Sequence, residues 1–221
     1  MILGDYIEIP QPIELTTPPE KPVEAGWSPI VRRLVNLWNN YGGAIAEEAG
    51  KYGMLPREAM TVFAVETMGQ AFDGNRIVIR VESHIFRKYL PVGFTGPMLI
   101  INGTQVREWE SLSWAAKHNL DGALLSASWG LPQLMGFNWK VTPYKNVREM
   151  VTAFCLSVRP QVAGFFQFCQ ANNIIEAAIT HDWQHFARIY NGIGNVPVYS
   201  NRLTEAAKAI DEMEKKGLRF V

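Results

Sequence analysis

Glu66 lies in the run PREAMTVFAVETMGQ, and the residues three and four places from it are Val62, Phe63, Gly69 and Gln70, none of them charged. A carboxyl group in apolar surroundings loses the hydration of its charged form and tends to keep its proton. A carboxyl protonated near neutral pH is what a general acid for glycosidic cleavage requires. A buried Glu satisfied by a backbone group or an Arg fits the same context. Glu82 follows sixteen residues later, at the end of the alternating run RIVIRVE. A helix carboxyl followed across a turn by a strand carboxyl can flank one cleft, as two carboxyls do in most glycosidases. Glu82 also shares a strand face with Arg80 and precedes Ser83, so ion pairing or helix capping is its other reading.

Two further segments offer polar or aromatic groups to a ligand. SASWGLPQLMG (residues 126–136) sets small residues, a Trp and a Gln between helical stretches. Ser128 and Gln133 can present polar groups there, with Trp129 as a stacking platform; an irregular turn around a buried Trp is the alternative. In YNGIGN, Tyr190 and Asn191 end one helix, and Asn191 or Gly192 suits a left-handed cap. His181 and His185 stand four residues apart, the spacing of a zinc-binding helix. Asp182 intervenes where the peptidase motif has Glu, and no third ligand is apparent. Surface histidines are the preferred reading, and no metal or organic cofactor is expected.

These groups need elements to hold them. Ser28 and Pro29 are a helix cap and first position, and VRRLVNLWNNY continues at helical spacing. Gly42-Gly43 predicts a break before a short second piece. Pro56 opens a helix through Gln70 that is apolar almost all round, so it should be buried. Phe72-Asp73-Gly74-Asn75 is turn chemistry. Ile77, Ile79 and Val81 then alternate as one strand face. HIFRKYL resumes helix. Asn102-Gly103 between PMLII and TQVRE predicts a hairpin. The remainder reads as helices: WESLSWAAKHNL, VREMVTAFCLSV, QVAGFFQFCQAN, IEAAI, DWQHFARIY with Asp182 as N-cap, and a last one near 200–215. The expected class is α+β, predominantly α, with a small β-hairpin insertion.

The chain has 221 residues, 48% apolar and 19% charged, which is globular composition. Lys plus Arg and Asp plus Glu are 21 each. A neutral chain lacks the cationic surplus of a nucleic-acid binder, so no nucleic-acid partner is expected. Residues 1–27 differ from the rest. IPQPIELTTPPEKPVEAGWSP holds six prolines, too many for helix interior or central strand. This reads as an extended lead that wraps the domain or docks on a protein partner. Residues 28–221 form the domain proper. The first 20 residues contain no Lys or Arg, so a secretory signal is not expected, nor is any apolar run long enough to span a membrane. Synthesis in the cytoplasm is therefore expected. Cys155 and Cys169 read as core thiols. On one continuous helix they would lie about 21 Å apart, beyond bridging distance, although a break at Pro160 would lift that limit.

The order AVETMGQAF, RIVIRVESHIF, SASWGLPQLMGFN, DWQHFARIYNG resembles the phage-type N-acetylmuramidases, the endolysins that cut peptidoglycan. The resemblance runs from about Gly53 to Ala209. A Glu at the end of a buried helix, a Ser-Gln segment (Ser126 or Ser128 with Gln133) and a Tyr-Asn-Gly turn are similar also to lytic transglycosylases. Both groups share the lysozyme-like fold. The resemblance implies that Glu66 is the catalytic acid and Glu82 the second acidic position. It implies that Ser128, Gln133, Tyr190 and Asn191 line the sugar groove. Thr67 stands where Ser is common and keeps the hydroxyl. The implied reaction is hydrolysis of the β-1,4 bond between N-acetylmuramic acid and N-acetylglucosamine in peptidoglycan glycan strands. The implied role is lysis of a bacterial wall reached after release or delivery. A lytic transglycosylase giving 1,6-anhydro products is the close alternative. A non-catalytic glycan-binding or assembly protein on the same fold is the other.

Overall fold

The computed structural model describes residues 26–100 and 103–220. The Pro-rich lead up to residue 25, and Asn102 of the predicted hairpin, lie outside the described residues. The described chain is mainly helical and divides into two compact units, residues 71–164 and the remainder on either side.

The helical unit contains α1 (Pro29–Lys51), α2 (Pro56–Glu66), the end of α7 (Val158–Ala171), α8 (Ile175–Ile179), α9 (Trp183–Tyr190) and α10 (Val196–Lys215). Helix α1 begins as the sequence predicts, with Ser28 Oγ accepting from Val31 N and Pro29 in the first turn. It does not break at Gly42-Gly43. Two glycines cost about 2 kcal/mol of helix propensity, but the buried side of α1 continues through Gly42, Ala44, Ile45 and Ala49, and packing overrides propensity. Helix α2 is buried along most of its length, as its composition predicts. Asp182 caps α9, its Oδ1 accepting from His185 N at 3.1 Å. The last helix starts earlier than predicted, at Val196.

Arg57 of α2 reaches α10, where it pairs with Asp211 and, at 2.6 Å, with Glu214. Its neighbour Glu58 is only 5% exposed, and Oε2 of its carboxyl has no hydrogen-bond partner among the described residues. Burial raises the pKa of Glu58, only partly opposed by backbone N–H groups and Arg57. The folded state therefore holds this proton to higher pH than the unfolded chain does. Its stabilising effect is full in acid and is lost as pH rises past the ordinary carboxylate range. Glu58→Gln is accordingly expected to add about 1 kcal/mol at pH 7, or roughly 2–4 °C in thermal midpoint. The gain should shrink as the melts are repeated toward pH 4.

The other unit holds the strands. β1 (Phe72–Asp73) and β2 (Arg76–Ile77) form a two-residue hairpin about the predicted Asp73-Gly74-Asn75 turn. β3 (Ile79–Val81), β4 (Ala127–Trp129) and β5 (Leu134–Met135) form an antiparallel sheet, with Arg80 opposite Ser128 and Ser128 opposite Met135. Ile77, Ile79 and Val81 face inward, as their alternation predicts. α3 (Ser83–Phe86) and a 3-10 turn (Arg87–Tyr89) follow. α4 (Gln105–His118), α5 (Leu120–Leu125), a 3-10 segment (Gly136–Val141) and α6 (Val147–Leu156) complete the unit with the start of α7.

The hairpin predicted about Asn102-Gly103 is corrected here. Thr104 N-caps α4, so TQVRE is helix and not strand. Helix α4 instead closes the free edge of β3. Gln105 accepts from Ile79 N and donates to Ile79 O, both at 2.9 Å, and Glu108 Oε2 accepts from Val81 N at 2.9 Å. Side chains thus complete the ladder that a further strand would have supplied. Cys155 and Cys169 are free and buried, as expected, but lie on separate helices that part at Ser157. Burial pushes the Cys155 thiol up to about 12, so it stays an inert core group.

Candidate active site

Helix α2 ends at Glu66, four residues short of the predicted Gln70. Thr67 N and Gly69 N both turn back to Phe63 O, and Met68 and Gly69 take positive φ. The two successive left-handed residues reverse the chain and stop the helix. Thr67 secures it, its Oγ1 accepting from Gln70 N at 3.2 Å. That gives the hydroxyl at position 67 a structural use. Glu66 is therefore half-buried at the carboxyl end of a helix and not sealed inside one. At that end the helix dipole disfavours a negative charge.

The phenol of Tyr199, near the start of α10, donates a short hydrogen bond to Glu66 Oε1. Tyr199 is only 6% exposed. Burial first, and the Glu66 charge second, hold the phenols of Tyr199 and Tyr190 well above their ordinary pKa. Both stay protonated, so Tyr199 is fixed as a donor. Tyr190 packs among Phe165, Phe168 and Phe186, with ring centroids 5.8, 5.3 and 5.1 Å away. The structure thus brings Glu66 together with the predicted Tyr190 and with Tyr199, which sequence reasoning missed. Asn191 follows as the exposed C-cap of α9. Position 199 falls outside the helix predicted near 200–215, and no local pattern marks a contact 133 residues away from its partner.

In the strand-bearing unit, Glu82 directly follows β3 and its N–H donates to Ser126 O at 2.9 Å. Its carboxylate meets Arg80 Nε at 3.3 Å and His84 Nδ1 at 3.5 Å. Glu82 also precedes α3 as its N-cap, without a side-chain capping bond. Ser128 Oγ donates to Gln133 Oε1 at 2.8 Å, and Gln133 Nε2 donates to Gly130 O at 2.9 Å. Both belong to the β4–β5 hairpin, which the sequence suggested only as an irregular turn.

The sequence model of the muramidase family, described as N-acetylmuramidase, matches residues 56–211, which include Glu66, Glu82, the β4–β5 hairpin and Tyr199. The chain belongs to this family. It is a peptidoglycan-cleaving enzyme with the α+β, mainly helical, lysozyme-like fold. Among solved structures it is similar to the crystal structure of the Burkholderia AP3 phage endolysin, with 26% identity, a TM-score of 0.65, and 80% of this chain and 71% of that one covered. No curated protein matches it.

One sequence expectation for the site is overturned. Trp129 is fully buried, its Nε1 donates to Leu124 O at 3.0 Å, and its ring packs edge-on against Trp109. It is a core residue and cannot serve as a stacking platform for a sugar. The hairpin carrying it is locked by two glycines. Gly130 has φ 66°, and a Cβ there would strike Gln161, whose Oε1 accepts from Leu131 N at 2.7 Å. A Cβ on Gly136 would strike the Leu124 carbonyl. His181 and His185 do not share a helix face. His181 precedes α9 with φ 57° and stacks on Trp183. Among the described residues no group of three or more His, Cys, Asp or Glu could hold a metal ion, and no helix is long and apolar enough to cross a membrane.

The Tyr199 bond makes a testable claim about positioning. A phenol that donates to a carboxylate favours its charged form and fixes its orientation. Tyr199→Phe is expected to lower the maximal rate on peptidoglycan about tenfold, the scale of one charge-assisted hydrogen bond. KM should change little, and the alkaline limb of the pH–rate profile should move to higher pH. A purely structural role for Tyr199 would leave the shape of that profile unchanged.

Proposed function

We propose that this chain is an N-acetylmuramidase in the strict sense, hydrolysing the β-1,4 bond between N-acetylmuramic acid and N-acetylglucosamine. Glu66 protonates the glycosidic oxygen and Glu82 stabilises developing positive charge or activates water. The observation that carries this reading is the Glu66 carboxyl, placed at the negative end of α2, where a negative charge is disfavoured, and held in position by the Tyr199 phenol. Ser128 and Gln133 use their polar atoms on each other and on the hairpin backbone, so their service to the glycan is to shape the surface they hold. Asn191 is exposed and presents its amide to the sugar, with Tyr190 behind it. The 26% identity to a phage endolysin supports a role in bacterial wall lysis, with the enzyme reaching the wall by release or delivery.

A second reading has one observation in its favour. The Glu82 carboxylate is engaged by Arg80 and His84. A lytic transglycosylase needs only one carboxyl, because the sugar's own 6-hydroxyl attacks. Mass spectrometry of digested, purified peptidoglycan separates the two. Hydrolysis leaves reducing N-acetylmuramic acid ends; transglycosylation leaves 1,6-anhydro ends. Intact glycan would overturn both readings and leave a binding protein.

A further inference from the structure

A cavity of about 360 Å³ lies beside the turn that follows Glu66. One wall is a row along α1, Arg32, Arg33, Asn36 and Asn40, and the other comprises Met68 and Gln70. The α1 residues recur at the three- and four-residue spacing that places them on one helix face. Met68 and Gln70 lie two and four residues after Glu66, so their Cα atoms are within about 7 and 14 Å of that of Glu66. The cavity therefore sits within a few sugar rings of the proposed acid.

Its chemistry is one-sided. Among the described residues the lining holds two guanidinium groups and three side-chain amides, but no carboxylate. Among the described residues neither Arg32 nor Arg33 forms an ion pair. Arg33 donates to Ala64 O at 2.9 Å, which fixes its fork toward the end of α2. Burial lowers its pKa, and no acidic neighbour among the described residues offsets that effect. Elsewhere in the same unit a half-buried arginine has its acids in place: Arg57 meets Asp211 and Glu214. Two arginines left without acids beside a concave surface match an anion, and planar guanidinium favours carboxylate. Met68, 62% exposed, adds an apolar surface at the rim.

We propose that this cavity is a subsite for the peptide stem of peptidoglycan, with Arg32 and Arg33 taking its free carboxylates and Asn36, Asn40 and Gln70 its amides. The proposal rests on the muramidase reading for the identity of the polymer. It adds that recognition extends from sugar to stem, so that stem-bearing glycan is preferred over bare glycan.

The test uses the full chain carrying Glu66→Gln, so that probes are bound and not cut. Isothermal titration compares three probes: the N-acetylglucosamine–N-acetylmuramic acid disaccharide with its peptide stem, the same compound with the stem carboxylates amidated, and the disaccharide without a stem. The stem-bearing probe is expected to bind at least about tenfold more tightly than the other two, equivalent to one charge-assisted pair. That margin should narrow as salt is raised. Arg32→Ala with Asn36→Ala should abolish the margin and leave the affinity for the stem-free disaccharide unchanged. Both residues are exposed, so the fold should survive, and circular dichroism checks it. Arg32→Gln alone, the milder change, should remove most of the margin. Equal affinity for the three probes, no binding of any, or a double variant that keeps the margin would overturn the subsite. Failure of the muramidase reading shows separately, as intact glycan after incubation with the chain that retains Glu66.

Discussion

Glu66→Gln is expected to leave a folded protein that binds glycan but cuts it at least about 100-fold more slowly, the low end for loss of a general acid. The expectation follows from what glutamine keeps and loses. Its amide oxygen can still accept the Tyr199 hydrogen bond, so the constellation of Glu66, Tyr190 and Tyr199 should hold its shape. Its volume matches, and α2 ends at this residue, so the helix ladder is untouched. It has no acidic proton to give to a leaving oxygen. It also removes the tendency of a negative charge to oppose the end of the helix dipole, so the thermal midpoint should hold or rise slightly. Turbidity loss on permeabilised Gram-negative cells measures the rate, and circular dichroism measures the fold. Sustained lysis by the folded variant would show that the proton comes from elsewhere. A complementary variant, Glu66→Asp, keeps the acid but draws it back by one methylene. Its activity should fall between the two, because a general acid must lie within hydrogen-bond reach of the oxygen it protonates.

The carboxyl itself was legible in the sequence, because a Glu in an apolar helix is conspicuous. Its surroundings were only partly so. Periodicity shows which face of a helix is apolar but does not show where the helix stops. Here the stop depends on Met68, a non-glycine residue with φ 55°. Local signals that carry their own chemistry came through intact: the Ser28 cap, the Asp182 cap, and the alternation of Ile77, Ile79 and Val81. Signals whose outcome depends on distant packing did not. Gly42-Gly43 reads as a break until the rest of α1 supplies a buried face that continues through it. Asn102-Gly103 reads as a hairpin, but Thr104 caps a helix whose Gln105 and Glu108 then serve the strand edge directly. Short strands such as β4 and β5 are two or three residues long, below the length at which alternation can be seen. Tyr199 and Trp129 show the same limit from opposite sides. Both are large aromatics, and only tertiary placement makes one a partner of Glu66 and the other a core residue.

Glu82→Gln is expected to stay folded and, under the hydrolytic reading, to lose about 100-fold in rate. Folding should be indifferent because the pairs that Glu82 makes with Arg80 and His84 are partly exposed, with side-chain accessibilities of 26% for Glu82, 59% for Arg80 and 73% for His84. Exposed pairs of this kind contribute about 0–1 kcal/mol. Activity should not be indifferent. A second carboxylate supports the oxocarbenium-like transition state only through its negative charge or its basicity, and glutamine has neither. The pairing geometry adds a control. If Arg80 merely orients Glu82, Arg80→Ala should reduce the rate far less than Glu82→Gln, since His84 still contacts the carboxylate at 3.5 Å. If instead Glu82 serves the fold by neutralising Arg80, the two variants should be alike, with small losses in thermal midpoint and unchanged rates. The products decide what an active Glu82→Gln protein would mean. Unchanged turnover with 1,6-anhydro ends would assign the chemistry to Glu66 alone and to attack by the sugar's own hydroxyl. A 100-fold slower enzyme that still leaves reducing ends would assign the second carboxylate to the hydrolysis of the glycan.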